Sequence, residues 1–407
     1  MASSGQPGKA SERRKVNKEM ENWKSKIQRI VGKVDDLSDS VRSRIKKITG
    51  HDSPLIIHAY SGHGTINEVM LKGRVLEDEG FIPSEDANTT WENLTNMYKR
   101  FESDEVPGAR VRARFSNLEQ EATTDGEGYF SFVFGLSNHS DTRLWQEVDL
   151  ELLDPLTRDG QSVRAAGQVM IPPATAKFGV ISDIDDTVIY SNVTNKLKLI
   201  LTVALLNERT RMPFKGVAAF YRALQEGESG SENNPIFYVS KSPWNLYTLL
   251  VEFLKIHGIP KGPLFLRDLG SNQPSPQANH KMSRIEMILN CYPHLPFILI
   301  GDSGEQDPEI YRDVVKAFPD RIRAIYIRSV NPDPSRIAAI DKLIEEVRET
   351  RSQLILAPDT EFAAAHAAAE GMISTGAMAE VRSEKHIDKS APSAADIATD
   401  ERGNDEA

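Results

Sequence analysis

After residue 172, the sequence alternates short, nearly uninterrupted apolar runs with stretches of helical periodicity. The apolar runs are "FGVISD", "PIFYVS", "PLFLRD", "PFILIGD" and "IRAIYIRSV", and the last predicted helix lies near residues 334–352. A strand that is apolar on both faces is typical of a parallel sheet covered by helices on both sides. The pattern therefore predicts an α/β domain with a doubly wound parallel sheet over residues 173–352.

Residues 51–172 show a different pattern, in which apolar and polar residues alternate over short runs. Val111, Ala113 and Phe115 alternate in "ARVRARF", and a second run, "GYFSFVF", follows the turn sequence "TTDGEGY". Such alternation is typical of antiparallel strands with one buried face. The region has about seven such runs, which predict an accessory β-sandwich of two sheets.

Three histidines fall close together near the start of this β-region: His51, His58 and His63. Their spacing matches no standard zinc pattern, and no cysteine lies near them. We therefore interpret them as scattered surface residues rather than as a metal site.

The two ends of the chain differ from both regions in composition. Residues 1–18 are polar and residues 353–407 are rich in alanine, so we expect disorder in the first segment and a mostly disordered tail in the second. Residues 19–49 repeat apolar residues at steps of three and four, which predicts an amphipathic helix. The first fifty residues hold 13 basic and 6 acidic residues. This helix therefore has two interpretations, packing against protein or contact with a membrane surface.

The composition argues against some classes of function. The chain has 407 residues, and its 59 acidic and 49 basic residues give a net charge of −10, which argues against nucleic-acid binding. Its one cysteine, Cys291, cannot form an intramolecular disulfide, and no apolar run is as long as a membrane-spanning helix. We therefore expect a cytoplasmic protein, with peripheral contact as the form of any membrane association.

Several of the predicted strands end at residues that bind phosphate or metal well. The first runs into "SDIDDT", which contains Asp183 and Asp185, the second ends at Ser240, and the fourth ends at Asp302. Between the second and the fourth strand, Lys281 lies near the start of a predicted amphipathic helix. Because ligands of a doubly wound sheet bind at the carboxyl ends of its strands, we expect these side chains to form one site.

Two of the same segments contain signals for the start of a helix. Ser242 precedes Pro243, and Asp307 precedes Pro308. Serine and aspartate are favoured N-cap residues, and proline is favoured in the first helical turn. Both residues are therefore predicted to cap helices whose N-termini point at the site.

The acidic loop "DIDDT" has two other interpretations. A calcium-binding loop requires glycine at its sixth position and glutamate at its twelfth, where this chain has Val188 and Thr194. An acidic turn without function is the second, and the loop alone does not exclude it. The groups at the other strand ends favour a site for phosphoryl transfer.

The segments "DIDDT", "IFYVS", "HK" and "GDSGEQD" resemble, in order, the four motifs of the haloacid dehalogenase superfamily, which has a Rossmann-like fold. Over residues 172–335, "SDIDDTV", "SPWNLY" and "LPFILIGDSGEQDPEIY" are similar to the catalytic domain of the Mg-dependent phosphatidate phosphatases named for an actin-patch protein. The resemblance implies that the substrate is a phosphate monoester and the cofactor Mg²⁺.

The resemblance also implies catalytic roles. Asp183 matches the nucleophile, Asp185 the general acid and base, and Ser240 and Lys281 the groups that contact phosphate. Chemistry supports the first two roles independently, because attack by Asp183 gives an aspartyl phosphate and divides a slow hydrolysis into two easier steps. Asp185 can protonate the leaving alkoxide and then take a proton from water.

The same resemblance implies a metal site. Asp183, Asp302 and the backbone carbonyl of Asp185 match the Mg²⁺ ligands, and Asp307 matches either a ligand through water or a residue that supports the ligands. A carboxylate can attack a phosphate monoester when a metal and a cation neutralise the negative charge. The adjacent Lys241 has no role assigned from the sequence.

These observations predict a Mg²⁺-dependent phosphatase, with phosphatidate or a related lipid phosphate as the expected substrate. A phosphatase of soluble metabolites or phosphoproteins on the same core is the first alternative. A membrane or protein interaction module, in which the phosphatase core is secondary, is the second. The sequence does not identify protein partners.

The segment between Asp183 and Ser240 bears on how a lipid would reach the site. It is too short for a large cap domain, so we expect a small cap or none and an open pocket. It contains "NKLKLILTVALL", an apolar run flanked by lysines that is a candidate for contact with anionic head groups. The alternative is an ordinary buried helix, since the run is apolar on nearly every side.

Overall fold

The computed structural model describes residues 55–77, 105–137, 139–156, 162–184, 215–267, 277–329 and 333–390. These residues form an eight-stranded mixed sheet followed by a six-stranded parallel sheet. The helix predicted over residues 19–49, the segment "NKLKLILTVALL" and the predicted catalytic residue Asp185 lie outside the described residues.

The first sheet consists of β1 (Leu55–Ala59), β2 (Gly62–Gly64), β3 (Glu68–Glu77), β4 (Arg110–Phe115), β5 (Leu118–Thr123), β6 (Tyr129–Gly135), β7 (Trp145–Asp154) and β8 (Arg164–Met170). The strand order is β1-β3-β2-β8-β7-β4-β5, with β6 paired to β3. The pairs are antiparallel except for β2 with β8. The prediction of antiparallel strands is confirmed, but one hydrogen-bonded network joins all eight, whereas the sequence predicted two sheets.

The alternation in the sequence explains which face of this sheet is buried. Val111, Ala113 and Phe115 of β4 are fully or almost fully buried, and they join the phenylalanines of β6 in one apolar core. Arg112 lies between them on the opposite face, where its Nη2 is 2.9 Å from Oε1 of Glu121 on β5. We refer to residues 55–170 as the β-domain.

The second sheet consists of β9 (Gly179–Asp183), β10 (Ile236–Pro243), β11 (Leu264–Arg267), β12 (Phe297–Asp302), β13 (Ile322–Arg328) and β14 (Gln353–Ala357). Its order is β11-β10-β9-β12-β13-β14, and all pairs are parallel. The first strand in the sequence thus lies at the centre of the sheet. This is the parallel sheet that the continuous apolar runs predicted.

The helices of this domain are α1 (Lys215–Glu226), α2 (Tyr247–Ile256), α3 (Gln277–Cys291), α4 (Asp307–Ala317), α5 (Pro334–Arg348), α6 (Thr360–Ala369) and α7 (Thr375–Ser390). They cover both faces of the sheet. Val180 and Ile298 pack with α1, α2 and α6 on one face, and Ile181 and Leu299 pack with α3, α4 and α5 on the other. In the described ranges, no helix is both long enough and apolar enough to cross a membrane.

The prediction of a mostly disordered tail from residue 353 is wrong for residues 353–390. They form β14, which pairs with β13 at the edge of the sheet, and two helices. The alanines that suggested low complexity have a packing function: Ala363, Ala364 and Ala367 of α6 are buried against the sheet. Small side chains let a helix approach closely. The α/β domain therefore extends to residue 390.

The two domains meet in part at His63 of β2, which is 8% exposed and was wrongly predicted to be a surface residue. Its ring centroid lies 5.2 Å from that of Phe265 and 6.5 Å from that of Tyr292. The Nδ1 atom is buried without a hydrogen-bond partner among the described residues. Burial lowers the pKa of His63 from 6.5 to about 4, so it is neutral near pH 7.

We expect this buried histidine to make the protein less stable in mild acid. The unfolded chain binds a proton at His63 near pH 6.5, and the folded chain only near pH 4, so stability falls as the pH falls between these values. A shift of this size corresponds to about 3 kcal/mol. Urea denaturation at pH 7 and pH 4.5 should therefore show a smaller loss of stability for His63→Gln than for the wild type. The exposed control His294→Gln should behave as the wild type, and equal losses in all three proteins would contradict the assignment.

Candidate active site

The carboxyl ends of the central strands bring the predicted polar residues together. Asp183 is the last residue of β9 and lies beside Val239, which precedes Ser240 in β10. Asp302 is the last residue of β12 and lies beside Arg328 of β13. Asp183, Ser240 and Asp302 are each at most 5% exposed. Parallel pairing places these ends at one edge of the sheet, as predicted.

Lys281 of α3 is the cation at the centre of this edge. Its side chain is 1% exposed, and its Nζ lies 2.9 Å from Oδ1 of Asp183 and donates a hydrogen bond to Oδ1 of Asp307. Burial alone would lower the pKa of Lys281, but the carboxylates of Asp183 and Asp307 outweigh it and raise the pKa well above its usual value. Lys281 is therefore a permanent positive charge next to the proposed nucleophile.

Asp307 is buried completely in the first turn of α4. Its Oδ2 accepts a hydrogen bond of 3.3 Å from the backbone N–H of Asp302, while Oδ1 contacts Lys281. Burial raises its pKa to about 6, although Lys281 opposes the rise. Both oxygens are engaged by the protein, which favours Asp307 as a residue that supports the ligands over a direct ligand.

Gly301 is required for this arrangement. A Cβ atom at residue 301 would lie 2.3 Å from Oδ2 of Asp307, a distance that no real side chain could occupy. The absence of a side chain at residue 301 therefore makes room for the buried Asp307 carboxylate.

Asp302 has one satisfied and one unsatisfied carboxylate oxygen. The backbone N–H groups of Gly304 and Glu305 donate to Oδ1 at 2.7 and 3.2 Å. Oδ2 is buried and has no hydrogen-bond partner among the described residues. Burial raises the pKa of Asp302, and the two N–H groups oppose the rise. A buried carboxylate oxygen that accepts no hydrogen bond is suited to bind a metal ion, so Oδ2 of Asp302 is a candidate ligand.

The remaining acidic groups agree with a metal site. Carboxylate oxygens of Asp183, Glu305 and Asp307 lie within 4.8 Å of one another. Lys281 forms an ion pair with each of the three, and Lys241 forms one with Glu305. Carboxylate oxygens are the ligands that hard cations such as Mg²⁺ prefer. The residues present therefore fit a divalent cation.

Sequence reasoning missed the role of Glu305, and with it that of Lys241. Oε2 of Glu305 forms an ion pair with Lys241 and lies 3.6 Å from Nζ of Lys281. Lys241 thus belongs to the site, because one carboxylate oxygen joins it to the central lysine. The signal in the sequence was the position of Lys241 directly after Ser240, but its partner lies 64 residues away.

A second missed residue, Arg336 of α5, holds the loop that follows β12. Its Nε donates to the backbone carbonyl of Ser303 at 2.9 Å, and its Nη2 donates to that of Glu305 at 2.5 Å. The same guanidinium pairs with Glu309. Two partners on the loop and one in the first turn of α4 fix the backbone that carries Asp302, Glu305 and Asp307. The motifs gave no signal for Arg336, which lies after the last of them.

The two predicted helix caps are wrong in detail. The helix after β12 begins at Asp307 itself, with Gln306 as the N-cap and no side-chain cap bond. Ser242 lies within β10, and its N–H donates to Oγ of Ser240 at 2.9 Å. Asp307 instead uses its carboxylate to bind Lys281, and Oγ of Ser240 accepts its hydrogen bond from Ser242 of the same strand.

A small cavity of about 50 Å³ opens beside Asp183 and Asp302, and Tyr221, Arg328 and Asp359 contribute to its wall. Pockets that enclose a small molecule are typically about 300–1,000 Å³. Among the described residues, the site therefore has room for the reacting group and not for a whole lipid.

The residues that form this site lie within a region that resembles a known catalytic domain. Residues 178–329 match the family model described as the catalytic domain of phosphatidate phosphatase APP1. Over 182 residues, the chain is 34% identical to phosphatidate phosphatase APP1 of Saccharomyces cerevisiae, an alignment that covers 44% of this chain and 30% of that protein. The resemblance to this type of catalytic domain, predicted from the sequence, is therefore confirmed.

Two further comparisons carry less information about function. Over 271 residues, the chain is 27% identical to an uncharacterised protein of Schizosaccharomyces pombe, which covers 63% of this chain and 44% of that one. The chain thus spans less than half the length of the curated relatives it matches. A β-glucuronidase structure from Parabacteroides merdae, at 8% identity and a TM-score of 0.25, covers 74% of this chain and 39% of that one, a likeness too low to bear on the fold.

Proposed function

We propose that this protein is a Mg²⁺-dependent phosphatase of a phosphate monoester, with a haloacid dehalogenase-like catalytic domain and an aspartyl-phosphate intermediate. The observation that carries the proposal is the buried contact of 2.9 Å between Oδ1 of Asp183 and Nζ of Lys281 at the end of the central strand. It lies within the residues that match the catalytic domain of phosphatidate phosphatase APP1. A carboxylate fixed beside a permanent cation suits nucleophilic attack on a phosphate.

The reaction has two steps, formation of the aspartyl phosphate and its hydrolysis. An oxygen of Asp183 forms a bond to phosphorus while the bond to the ester oxygen breaks, and Asp185 gives its proton to the leaving alkoxide. Water then attacks phosphorus, Asp185 takes a proton from it, and the bond between phosphorus and Asp183 breaks. Lys281 and the buried Ser240 hold the phosphoryl oxygens during both steps.

Asp183, Asp302 and the backbone carbonyl of Asp185 would hold Mg²⁺, with Asp307 and Arg336 supporting them. The metal, when bound, neutralises negative charge on the phosphoryl group and so reduces its repulsion of Asp183. The unsatisfied Oδ2 of Asp302 supports its place among the ligands.

We propose phosphatidate or a related lipid phosphate as the substrate, with peripheral contact to the membrane that contains it. Support comes from the relative named phosphatidate phosphatase APP1. The test is phosphate release from dispersed phosphatidate and from a panel of soluble monoesters, each with and without Mg²⁺. Faster release from phosphatidate in the presence of Mg²⁺ is expected, and equal or faster release from the soluble panel would contradict a lipid substrate.

Asp302→Ala should lose Mg²⁺ binding together with activity. A hard cation needs several oxygen ligands, and few protein groups would hold it here, so removal of one carboxylate should weaken binding at least about tenfold. Isothermal titration of Mg²⁺ into the wild type and the variant measures this directly and independently of turnover. Asp341→Asn, on the exposed face of α5, is the control. Unchanged Mg²⁺ binding in Asp302→Ala would show that the metal lies elsewhere.

A further inference from the structure

The β-domain contacts the phosphatase domain next to residues 240–244, the end of β10 and the start of a short 3₁₀ helix, which we call the phosphate-binding turn. Tyr60, which follows β1, is 5% exposed and belongs to the apolar core of the phosphatase domain. Its ring centroid lies 4.7 Å from that of Trp244 and 4.6 Å from that of Tyr247. Trp244 begins a short 3₁₀ helix, and Tyr247 begins α2. We call Tyr60, Ser61, Trp244 and Tyr247 the aromatic clamp.

Two hydrogen bonds fix the same contact. The backbone N–H of Ser61 donates to the hydroxyl of Tyr247 at 2.6 Å, and that hydroxyl donates to Oγ of Ser61 at 3.1 Å. Burial raises the pKa of Tyr247, which keeps its hydroxyl protonated and able to donate. Both bonds join the two domains across 186 residues of sequence.

A lysine of the β-domain contacts the aromatic clamp from outside. Nζ of Lys72 on β3 lies 4.7 Å from the ring centroid of Tyr129 and 5.3 Å from that of Trp244. A lysine ammonium at this distance from an aromatic face is attracted to it, by about 0.5–1 kcal/mol at an exposed site. Two side chains of the β-domain, Tyr60 and Lys72, therefore contact Trp244.

The clamp lies next to the group that would contact phosphate. Ser240, whose Oγ accepts from the N–H of Ser242, is separated from Trp244 by Lys241, Ser242 and Pro243. A turn this short transmits a displacement of Trp244 to Ser240. Misplacement by about 1 Å of a group that positions a substrate can cost about 100-fold in rate.

We propose that the aromatic clamp positions the phosphate-binding turn, so that the β-domain is a working part of the active site. Tyr60, Ser61 and Tyr247 are then positioning residues that act through Ser240. This inference rests on the proposed function, because it assumes that Ser240 contacts phosphate.

The same interface offers a matched control at the opposite edge of the sheet. Lys261 precedes β11 and thus lies at the amino ends of the parallel strands. Its Nζ donates to Oε1 of Gln168 and lies 4.2 Å from the ring centroid of Trp145. Lys261→Met therefore weakens contact between the domains without touching the phosphate-binding turn.

The experiment compares full-length wild type, Tyr247→Phe and Lys261→Met. Inorganic phosphate binding is measured by calorimetry in saturating Mg²⁺, and KM and kcat are measured for the substrate that the wild type turns over. Tyr247→Phe keeps the ring but loses both bonds to Ser61, so we expect phosphate binding about tenfold weaker and a KM raised by a similar factor. Ser61→Ala, which removes one bond, should give a smaller change in the same direction.

The outcomes distinguish this inference from the proposed function. Phosphate binding that is weaker in Tyr247→Phe and unchanged in Lys261→Met supports the clamp as a positioning device. Binding equal to that of the wild type in Tyr247→Phe, or reduced equally in both variants, overturns it in favour of a merely structural contact. Failure of the wild type to bind phosphate would overturn the proposed function, and this inference with it.

Discussion

Asp183→Asn is expected to reduce phosphate release by about 10⁴-fold or more, since removal of a covalent nucleophile is among the most costly changes an enzyme can suffer. The amide has nearly the same shape as the carboxylate but lacks its charge and its reactivity. Lys281 keeps Asp307 as a partner, so the variant should fold. The measurement is initial-rate phosphate release with circular dichroism as the check on folding, and Asp341→Asn is the surface control. Comparable activity in the wild type and in Asp183→Asn would exclude the mechanism.

Asp185→Asn is the companion variant that separates the two chemical steps. An aryl phosphate has a leaving group that needs no proton, so formation of the phospho-enzyme should persist on this substrate. Breakdown of the intermediate still needs a base and should be slow. A burst of aryl alcohol, equal at most to the enzyme present, is therefore expected, and a variant that loses the burst and the steady rate equally would contradict the assigned role.

The parallel sheet and the meeting of Asp183, Ser240, Lys281 and Asp302 were predictable because they depend on local patterns. A continuous apolar run must be buried on both faces, and the residue after it must lie at the carboxyl edge. Once the strands are parallel, the edge is shared. The roles of these four residues in catalysis remain predictions that the variants test.

The features that the sequence did not predict depend on distant partners. Glu305 meets Lys241, Arg336 holds the loop after β12, and Tyr60 meets Trp244, each across many residues of sequence. The ionic contacts leave no periodicity in the chain. The prediction for residues 353–390 was wrong for a different reason, because an alanine-rich helix and a disordered alanine-rich tail have similar compositions. Val381 of α7, buried completely, was the apolar anchor within it.

The wrong interpretation of Asp307 as a helix cap shows how a tertiary contact overrides a local preference. Aspartate before proline is a common helix cap. A capping carboxylate would accept hydrogen bonds from the backbone N–H groups of its own helix. Here the carboxylate is turned to Lys281 and to the N–H of Asp302. The ion pair with a buried lysine is the stronger interaction, since an unpaired buried ammonium group would be far more costly than a missing cap.

Lys281→Met should lower the free energy of unfolding by about 3–5 kcal/mol as well as abolish activity, because it leaves the buried carboxylates of Asp183 and Asp307 without their cation. Methionine has a similar length, so little packing is lost. The exposed control Lys342→Met should have no measurable effect on urea denaturation followed by circular dichroism. A loss below about 1 kcal/mol in Lys281→Met would show that the ion pairs contribute little net stability.

The pH dependence of this variant identifies the cause of its instability. The pKa of Asp307 is already raised to about 6 by burial, and loss of Lys281, which holds it down, should raise it further. A carboxyl group whose pKa is raised on folding destabilises the folded state fully above that pKa, and the penalty shrinks as the pH falls from there toward the lower pKa of the unfolded chain. The deficit of Lys281→Met relative to the wild type should therefore be smaller at pH 5 than at pH 8. Addition of Asp307→Asn should restore part of the stability at pH 8 without restoring activity, whereas a deficit independent of pH would point to lost packing.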